Sequence, residues 1–528
     1  MTKARDIADS TKTLDVDGGT IKLDGNYPVG AGNVALGDTA LDSVEASGNN
    51  NTAIGSNAGT AITTGDNNVA IGTSALTSHT TGANNIGIGV SALSANTSGA
   101  QNVAVGDNAL ATNITGLRNT AVGYWASRLS TGADNVAMGY NCLGNNTGAS
   151  NTAIGTRALQ SNTTASSNTA VGYQAVYSNT TGTGNTGIGG EAGLSLTTSS
   201  YNTALGFRAL KLTTTASNNT AVGTFALQAN TTGTNNVSVG GYSLLSNTTA
   251  SNNTAVGNVA LDANTTGSDN VGIGYASLSQ STTGYGLTAI GRQALYSNTT
   301  GARNTAVGYQ AGYSNTTSAN STFVGAYTGY STTGAGNTFI GNLGSTGNFG
   351  CGYYMTTGTN NTIIGAYTGN SGGVDLRTVS NYIILSDGSG NPRLRIDDNG
   401  DLRVPKVYTN TTGSSANLFL TSAGEFARST SSLRYKNTVT DATHGLTKLM
   451  TLRPVTYKGN NDGDTVFGGL IAEEVHDAGL TEFVQYNDEG QPDALAYSNM
   501  VSLCIKAIQE QQATITALTD RITALEGA

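Results

Sequence analysis

The chain contains 528 residues, 72 of them glycine, with only 11% charged residues and a formal net charge of −9 at neutral pH. This acidic balance argues against nucleic acid as a partner, since no basic stripe is present to neutralise phosphates. Three widely separated cysteines predict neither a disulfide framework nor a zinc site. The sequence contains no run of about 18 apolar residues, so it predicts no membrane-spanning helix. We therefore expect no metal, no cofactor and no membrane insertion.

The first segment, residues 1–32, precedes a long array of repeats. It lacks the apolar stretch of a secretory signal peptide. We assign it as an attachment segment by which a larger assembly holds the chain.

Residues 33–373 repeat the pattern Asn-Thr-Ala-Ile/Val-Gly-x-x-Ala-Leu-x-x-Asn-Thr-Thr-Gly. Fourteen of the nineteen spacings between the twenty units are 17 residues. A short fixed period predicts a solenoid, in which no single unit buries a core of its own. The units begin at Asn33, Asn51, Asn68, Asn85, Asn102, Asn119, Asn135, Asn151, Asn168, Asn185, Asn202, Asn219, Asn236, Asn253, Asn270, Leu287, Asn304, Ser321, Asn337 and Asn361.

Each unit predicts one short strand, in which alternation places Thr52 and Ile54 on one face and Ala53 on the other. The Ala-Leu pair that follows, for example Ala75 and Leu76, predicts a second strand. The Asn-Thr-Thr-Gly segment predicts a turn, because Gly accepts positive φ. A coil this thin is marginal alone, so we expect chains to associate through the face that carries the small residue.

Stacked at about 4.8 Å per coil, twenty units predict a rod of roughly 95 Å. The repeat resembles the Asn-x-Val-Ala-Ile-Gly coils in the heads of trimeric autotransporter adhesins, over about 330 residues. This resemblance implies a left-handed parallel β-roll in a bundle of three chains. The signal peptide and membrane anchor of that family are not recognisable here, so we expect a fibre of another kind.

The last spacing of the array stretches to 24 residues. Its inserted segment, which we take to include residues 348–355, contains Phe349, Tyr353 and Tyr354. Aromatic rings beside glycines can stack on sugar rings, so these three are candidate receptor contacts, with an end cap over the last coil as the alternative. Tyrosines that directly follow the glycine of a coil could also contact a receptor, but we favour packing at a strand corner for them. These are Tyr124, Tyr140, Tyr173, Tyr275 and Tyr309, with Trp125 beside the first.

Residues 374–430 predict a small β-rich neck. Two strand-like stretches, 381–386 and 393–397, flank an Asp-Gly-Ser-Gly-Asn-Pro turn and predict a hairpin.

The final segment, residues 431–528, ends in a heptad pattern that predicts a coiled coil over 501–528. Isoleucine at the first seam position and leucine at the second favour two strands, which competes with a three-chain solenoid. One seam position is occupied by Val501, Ile508, Ile515 and Ile522, and the other by Cys504, Gln511, Leu518 and Leu525.

Three stretches precede this heptad: 431–436 (Ser-Ser-Leu-Arg-Tyr-Lys), 452–457 (Leu-Arg-Pro-Val-Thr-Tyr) and 468–475 (Gly-Gly-Leu-Ile-Ala-Glu-Glu-Val). Together they resemble the intramolecular chaperone domain at the C-terminus of phage tailspikes, tail fibres and endosialidases. The resemblance implies a small mixed α/β domain that trimerises, guides folding of the β-rich body and then cuts itself off.

In that family the cut is made by a Ser–Lys dyad. The matching positions imply Ser431 as nucleophile, Lys436 as base, and cleavage between Thr430 and Ser431. The chemistry requires a neutral lysine, because a serine hydroxyl is a weak nucleophile without an adjacent base. Ser432 stands where the family commonly has Asp, so Ser429 and Ser432 are alternative nucleophiles.

The sequence thus predicts an all-β, trimeric parallel β-solenoid shaft followed by a mixed α/β chaperone domain with a C-terminal coiled coil. By resemblance, the expected function is that of a homotrimeric phage tail fibre in the virion, held by a virion protein through residues 1–32 and recognising a host-surface glycan or protein. Self-cleavage is the only enzymatic activity expected.

A bacterial surface adhesin and a purely structural spacer are the alternatives. A glycan-degrading tailspike would need paired carboxylates in a cleft, and the acidic residues of the array past residue 100 are scattered. They are Asp107, Asp134, Glu191, Asp262 and Asp269.

Overall fold

The computed structural model of the protein describes residues 30–341, 349–371, 373–404, 418–420, 426–428, 438–459, 463–487 and 489–527. For residues 418–420 and 426–428 it describes the backbone alone. The chain divides into two compact units, Met1–Thr411 and Thr412–Ala528. The predicted attachment segment lies outside the described residues except for its last three positions.

The first unit is a parallel β-solenoid, which confirms the predicted fold class of the array. Each of twenty three-residue strands begins one residue after a predicted unit start and pairs in parallel register with the next. The strands are β1 Val34–Leu36, β2 Thr52–Ile54, β3 Val69–Ile71, β4 Ile86–Ile88, β5 Val103–Val105, β6 Thr120–Val122, β7 Val136–Met138, β8 Thr152–Ile154, β9 Thr169–Val171, β10 Thr186–Ile188, β11 Thr203–Leu205, β12 Thr220–Val222, β13 Val237–Val239, β14 Thr254–Val256, β15 Val271–Ile273, β16 Thr288–Ile290, β17 Thr305–Val307, β18 Thr322–Val324, β19 Thr338–Ile340 and β20 Thr362–Ile364.

The stack continues past residue 373 and then closes. A short hairpin of β21 (Asn370–Ser371) and β22 (Val374–Asp375) precedes β23 (Ile383–Ser386), which pairs in parallel with β20. The predicted hairpin follows, since β23 pairs antiparallel with β24 (Pro392–Ile396), and β24 pairs with β25 (Leu402–Arg403). The antiparallel strands occupy the edge that the last parallel strand would otherwise leave unpaired.

The small residue of each strand faces the interior of its own coil. Ala53 and Ala204 are fully buried, whereas Ile54 and Leu205 are 37% and 42% exposed. The expectation that chains associate through the small-residue face is therefore wrong, because the coil itself covers that face. The exposed apolar face is the opposite one.

The predicted second strand is instead a succession of bends. Leu76 has a φ of +52° and Leu110 a φ of +50°, so neither is extended. The side chains still point inward and are fully buried. Coils are joined here as well, since the Leu76 amide donates to the Ala92 carbonyl at 2.9 Å.

Glycine follows each strand from β1 to β20, where a side chain has no room. At Gly223 the φ is +136°, and a Cβ would lie 2.5 Å from the carbonyl oxygen of Gly240 in the next coil. Both the backbone conformation and the close approach of neighbouring coils exclude a side chain.

Asparagines that open the units form a buried column, the first asparagine ladder. The Asn51 side-chain oxygen accepts from the Asn68 backbone amide at 3.0 Å and from its side-chain amide at 3.1 Å, and Asn68 donates in turn to the Gly82 carbonyl at 3.0 Å. Asparagines of the turns form a second asparagine ladder, in which Asn247 donates to Asn230 at 2.9 Å. The turn asparagines thus bond to neighbouring coils as well as locally.

In the last coils the inward residue of the strand is large and the residue that faces it is small, the reverse of the other coils. Phe323 and Phe339 replace the inward alanine and are fully buried. Glycine stands where these rings need room, since a Cβ at Gly329 would lie 2.4 Å from the Phe323 ring and one at Gly352 would lie 2.4 Å from the Phe339 ring.

The second unit is mixed α/β in its described parts. Its hairpins are β26 (Leu418–Leu420) with β27 (Phe426–Arg428), β28 (Val455–Lys458) with β29 (Val466–Gly469), and β30 (Val484–Tyr486) with β31 (Pro492–Leu495). Its helices are α1 (Leu446–Leu449), α2 (Ala472–Asp477), a 3₁₀ turn (Thr481–Phe483) and α3 (Val501–Glu526).

Helix α3 buries one narrow stripe and exposes another. Leu503 is buried in a cluster with Val475 and Phe483, and Ala507 is buried as well. Glu510 accepts from the Leu446 amide at 2.7 Å. The predicted seam faces outward, with Ile508 63% and Ile515 48% exposed. The helix agrees with the heptad pattern, and the coiled coil itself stays a prediction.

Candidate functional site

The three predicted receptor contacts lie together near the end of the solenoid. Phe349 and Tyr354 are exposed and Tyr353 is half-buried. Their ring centroids are 4.8 Å apart for Phe349–Tyr353, 5.0 Å for Tyr353–Tyr354 and 5.1 Å for Phe349–Tyr354. We call these residues the aromatic cluster, and binding by them stays a prediction.

The cluster belongs to the wall of a coil. The Gly329 amide donates to the Cys351 carbonyl at 2.9 Å, and the Ser331 amide donates to the Tyr353 carbonyl at 3.1 Å, as in other coils. The Gly352 amide bonds to the following coil at 2.8 Å. Placing residues 350–355 in the inserted segment is therefore wrong; residues 342–348, where the extra length falls, lie outside the described part.

A column of stacked tyrosines leads into the cluster. The rings of Tyr296, Tyr313, Tyr330 and Tyr353 follow one another at 5.1, 4.9 and 4.9 Å, with planes within 8° of parallel. We call this the tyrosine column. The column was not among the predicted contacts, although tyrosine recurs at 17-residue intervals at 296, 313 and 330.

Two tyrosines of the adjacent coil corner widen this aromatic surface. Tyr327 lies 5.0 Å from Tyr309, 6.0 Å from Tyr330 and 6.2 Å from Tyr353, measured between ring centroids. Tyr309 is exposed, and Arg292 stands 5.8 Å from its ring centroid. Tyr309, one of the corner tyrosines predicted to pack, is thus joined through Tyr327 to the tyrosine column.

The surface has no acidic group near it and few basic ones. Between Asp269 and Asp375 the chain has no Asp or Glu, and its only charged residues are Arg292 and Arg303. The hydroxyls of Tyr327 and Tyr353 stay protonated at neutral pH, because hydrogen bonding with Tyr309 and then burial raise the pKa of Tyr327, and burial raises the pKa of Tyr353. The tyrosine rings therefore offer a ligand stacking and hydrogen bonds.

Aromatic residues elsewhere on the solenoid form smaller groups. Tyr124 stacks with Trp125 at 4.8 Å and with Tyr140 at 5.9 Å, and Arg128 lies over the Trp125 ring. Tyr173 is 53% exposed and has no aromatic neighbour within the described residues. Packing among themselves explains the first group, while Tyr173 is a solitary surface residue.

Two acidic residues of the array, Glu191 and Asp262, are engaged by neighbouring side chains. Glu191 pairs with Lys211 at 2.7 Å and Arg208 at 3.0 Å, which lowers its pKa. Asp262 accepts from Ser279 at 2.7 Å, and burial raises its pKa. In the described ranges no group of three or more His, Cys, Asp or Glu could hold a metal ion.

The outward face of the solenoid sheet is a second candidate surface, which we call the outer face. The first residue of every strand from β1 to β20 is Thr, Val or Ile, and the third is Ile, Val, Leu or Met. Ile188, Ile290 and Ile364 are 38%, 39% and 44% exposed. Partly exposed apolar side chains thus recur in coil after coil of a charge-free face, which makes the outer face a candidate interaction surface.

The predicted cleavage residues Thr430 and Ser431, and the predicted base Lys436, lie outside the described residues. Across the parts of the chain that are described, no helix combines the length and apolar character needed to cross a membrane. No protein-family model, curated protein or solved structure matches the chain.

Proposed function

We propose that the protein is an attachment fibre of the viral tail-fibre kind, in which three chains associate along their solenoids and present a receptor-binding surface to a host. The observation that carries the proposal is the outer face, twenty successive strands without one charged residue. Association of identical chains through this face removes it from water. Because the chains have the same coil spacing, their coils can stay in register along the whole length. A homotrimer with this interface resembles the adhesin heads named above.

The second unit supplies the means of bringing chains together. Its exposed heptad seam on α3 is the kind of surface that self-associates as a coiled coil. Docking of three separate chains is slow and depends on their concentration. A terminal domain that gathers the chains would shorten that search, and on the resemblance to chaperone domains it is then released at Thr430–Ser431.

The association is tested by the molar mass of the full chain in solution, measured by light scattering. We expect three chain masses for the wild type. Ile188→Lys places a charge in the outer face and should yield smaller species, because a buried unpaired charge is costly. Tyr173→Lys, at an exposed coil corner, is the matched control and should stay trimeric. A monomeric wild type would refute the proposal.

Self-cleavage is tested separately by intact mass after expression. We expect a 98-residue fragment spanning 431–528, which Ser431→Ala and Lys436→Ala both abolish. Cleavage that survives Ser431→Ala would remove Ser431 as nucleophile and leave Ser429 and Ser432 to be tested in the same way.

A bacterial surface adhesin or a spacer fibre would share the trimeric solenoid. A spacer would lack receptor binding, whereas both fibre and adhesin require it. Binding to intact host cells, with loss on alteration of the aromatic cluster, therefore separates the spacer from the other two.

A further inference from the structure

The tyrosine column and the aromatic cluster are continuous, and their continuity suggests a ligand that is itself extended. The column ends in Tyr353, which is also the centre of the cluster, 4.8 Å from Phe349. From Tyr296 to Tyr354 the rings extend over four consecutive coils on the turn side of the solenoid. The outer face, which the proposed trimer uses, is formed by other residues.

We propose that this combined surface, the aromatic strip, binds an uncharged polysaccharide that lies along the solenoid axis. The inference rests on the proposed function, for which it names the receptor class. It takes the three predicted contacts as one end of a longer site.

The two ends of the strip offer different contacts. Within the tyrosine column, near-parallel rings cover each other's faces, so ring edges and hydroxyls remain for a ligand, one set per coil. In the cluster, Phe349 and Tyr354 meet Tyr353 edge to face and are 38% and 39% exposed. Their ring faces suit the apolar C–H face of a sugar, and the hydroxyls of the column suit sugar hydroxyls.

Periodicity favours a polymer over a single small ligand. Coils repeat at about 4.8 Å, close to the length of one pyranose unit along an extended linear polysaccharide. A chain of such units aligned with the axis meets an equivalent hydroxyl at each coil. A globular protein partner has no reason to match that repeat.

Charge selects the class of polysaccharide. No acidic residue lies between Asp269 and Asp375, so cationic polymers gain no partner. Arg292 stands 5.6 Å from the ring centroid of Tyr275 and 5.8 Å from that of Tyr309, and Arg303 stands 5.4 Å from that of Tyr285. Both cations thus lie over rings outside the aromatic strip. Without paired carboxylates among the rings, the polymer is bound and not hydrolysed.

The test uses the full chain, with trimer mass measured on the same samples, against neutral hexasaccharides of glucose, mannose and galactose and the anionic hexagalacturonate. We expect calorimetric binding of at least one neutral hexasaccharide and a weaker response to the anion. Phe349→Ala with Tyr354→Ala should weaken binding at least tenfold. Tyr173→Ala, an exposed tyrosine outside the strip, should bind like wild type.

Four outcomes overturn the inference: no neutral hexasaccharide binds, the anion binds more tightly, the double variant binds normally, or Tyr173→Ala loses as much. Because trimer mass is a separate readout, a trimer that binds no neutral glycan refutes only the aromatic strip. A monomer refutes the fibre proposal. Gln293→Ala, which leaves the rings in place, checks that loss of binding follows the aromatic groups rather than surface change in these coils.

Discussion

The central coils and the last coils of the solenoid share one backbone but fill it differently. In the centre, an inward Ala faces a Leu of the preceding coil and asparagine ladders run alongside, as at Asn236 and Asn253. At the end, Phe323 and Phe339 fill the interior and glycine faces them. A Phe facing a Gly replaces an Ala facing a Leu, so the combined side-chain volume of the facing pair changes little, as close packing requires.

This comparison separates two sources of stability. Central coils bury small apolar side chains, so we expect the buried hydrogen bonds between coils to contribute a larger share of their free energy of unfolding. The last coils bury whole aromatic rings, and the ladders are interrupted there by Ser321 and Thr332 in place of asparagine, as they are at Ser130 in an earlier coil. Predictions that disturb each source in turn make the difference measurable.

The largest effect is expected at the end of the solenoid. Phe323→Ala removes a fully buried ring and leaves a cavity between glycines that cannot fill it. We expect a loss of about 3–5 kcal/mol in the local free energy of unfolding, measured by hydrogen exchange of the coil amides. Tyr173→Ala, exposed, should cost far less; an equal loss at both would mean that burial does not set the difference.

A smaller loss is expected when a ladder is cut in the centre. Asn236→Ala removes the acceptor of the Asn253 backbone amide, 3.0 Å away, and leaves that buried donor unpaired. We expect a loss of about 1–3 kcal/mol, measured by hydrogen exchange of the adjoining coils. Asn258→Ala, an exposed asparagine of the same region, is the control. Equal exchange in the two variants would show that the ladder does not hold the coils.

A gain is expected where the second asparagine ladder is interrupted. The Asn113 side-chain oxygen and the Ser130 hydroxyl are buried without a hydrogen-bond partner among the described residues. Ser130→Asn would supply a donor to Asn113 and raise the denaturation midpoint by an amount equivalent to about 1 kcal/mol. Ser161→Asn, outside the ladder, should not; a fall in the midpoint for Ser130→Asn would contradict this account of the gap.

The smallest effect concerns pH. His79 is buried in the second ladder, where Nε2 donates to the Gly82 carbonyl at 2.7 Å and Nδ1 accepts from Asn96 at 3.0 Å. Burial lowers the pKa of His79 below its ordinary value of 6.5. Below about pH 6.5, His79 is protonated in the unfolded chain but stays neutral in the folded chain. The free energy of unfolding therefore falls as the pH drops below about 6.5.

The measurement is the denaturation midpoint between pH 7 and pH 5. His79→Asn restores the ladder residue and should remove the part of the fall that comes from this group. A slope that is identical in His79→Asn and wild type would show that other groups account for it.

The repeat period predicted the solenoid because stacking demands one strand per unit at constant spacing. The aromatic cluster was predicted from local composition, since Phe349 and Tyr354 are near in sequence. The tyrosine column was missed, although its 17-residue recurrence was visible, because side chains in register on adjacent coils must be read across units. Heptad spacing predicted a helix, and Val501–Glu526 forms one.

The sequence by itself determined the period, the strand positions and the glycine that ends each strand, since these depend on backbone conformation and local alternation. Only the tertiary structure decided which face is inside. Alternation places Ala53 and Ile54 on opposite faces but assigns neither to the core. The coil closes too tightly for two walls of bulky residues, so alanine is buried against leucine and isoleucine is left outside. The surface left for partners follows from that choice.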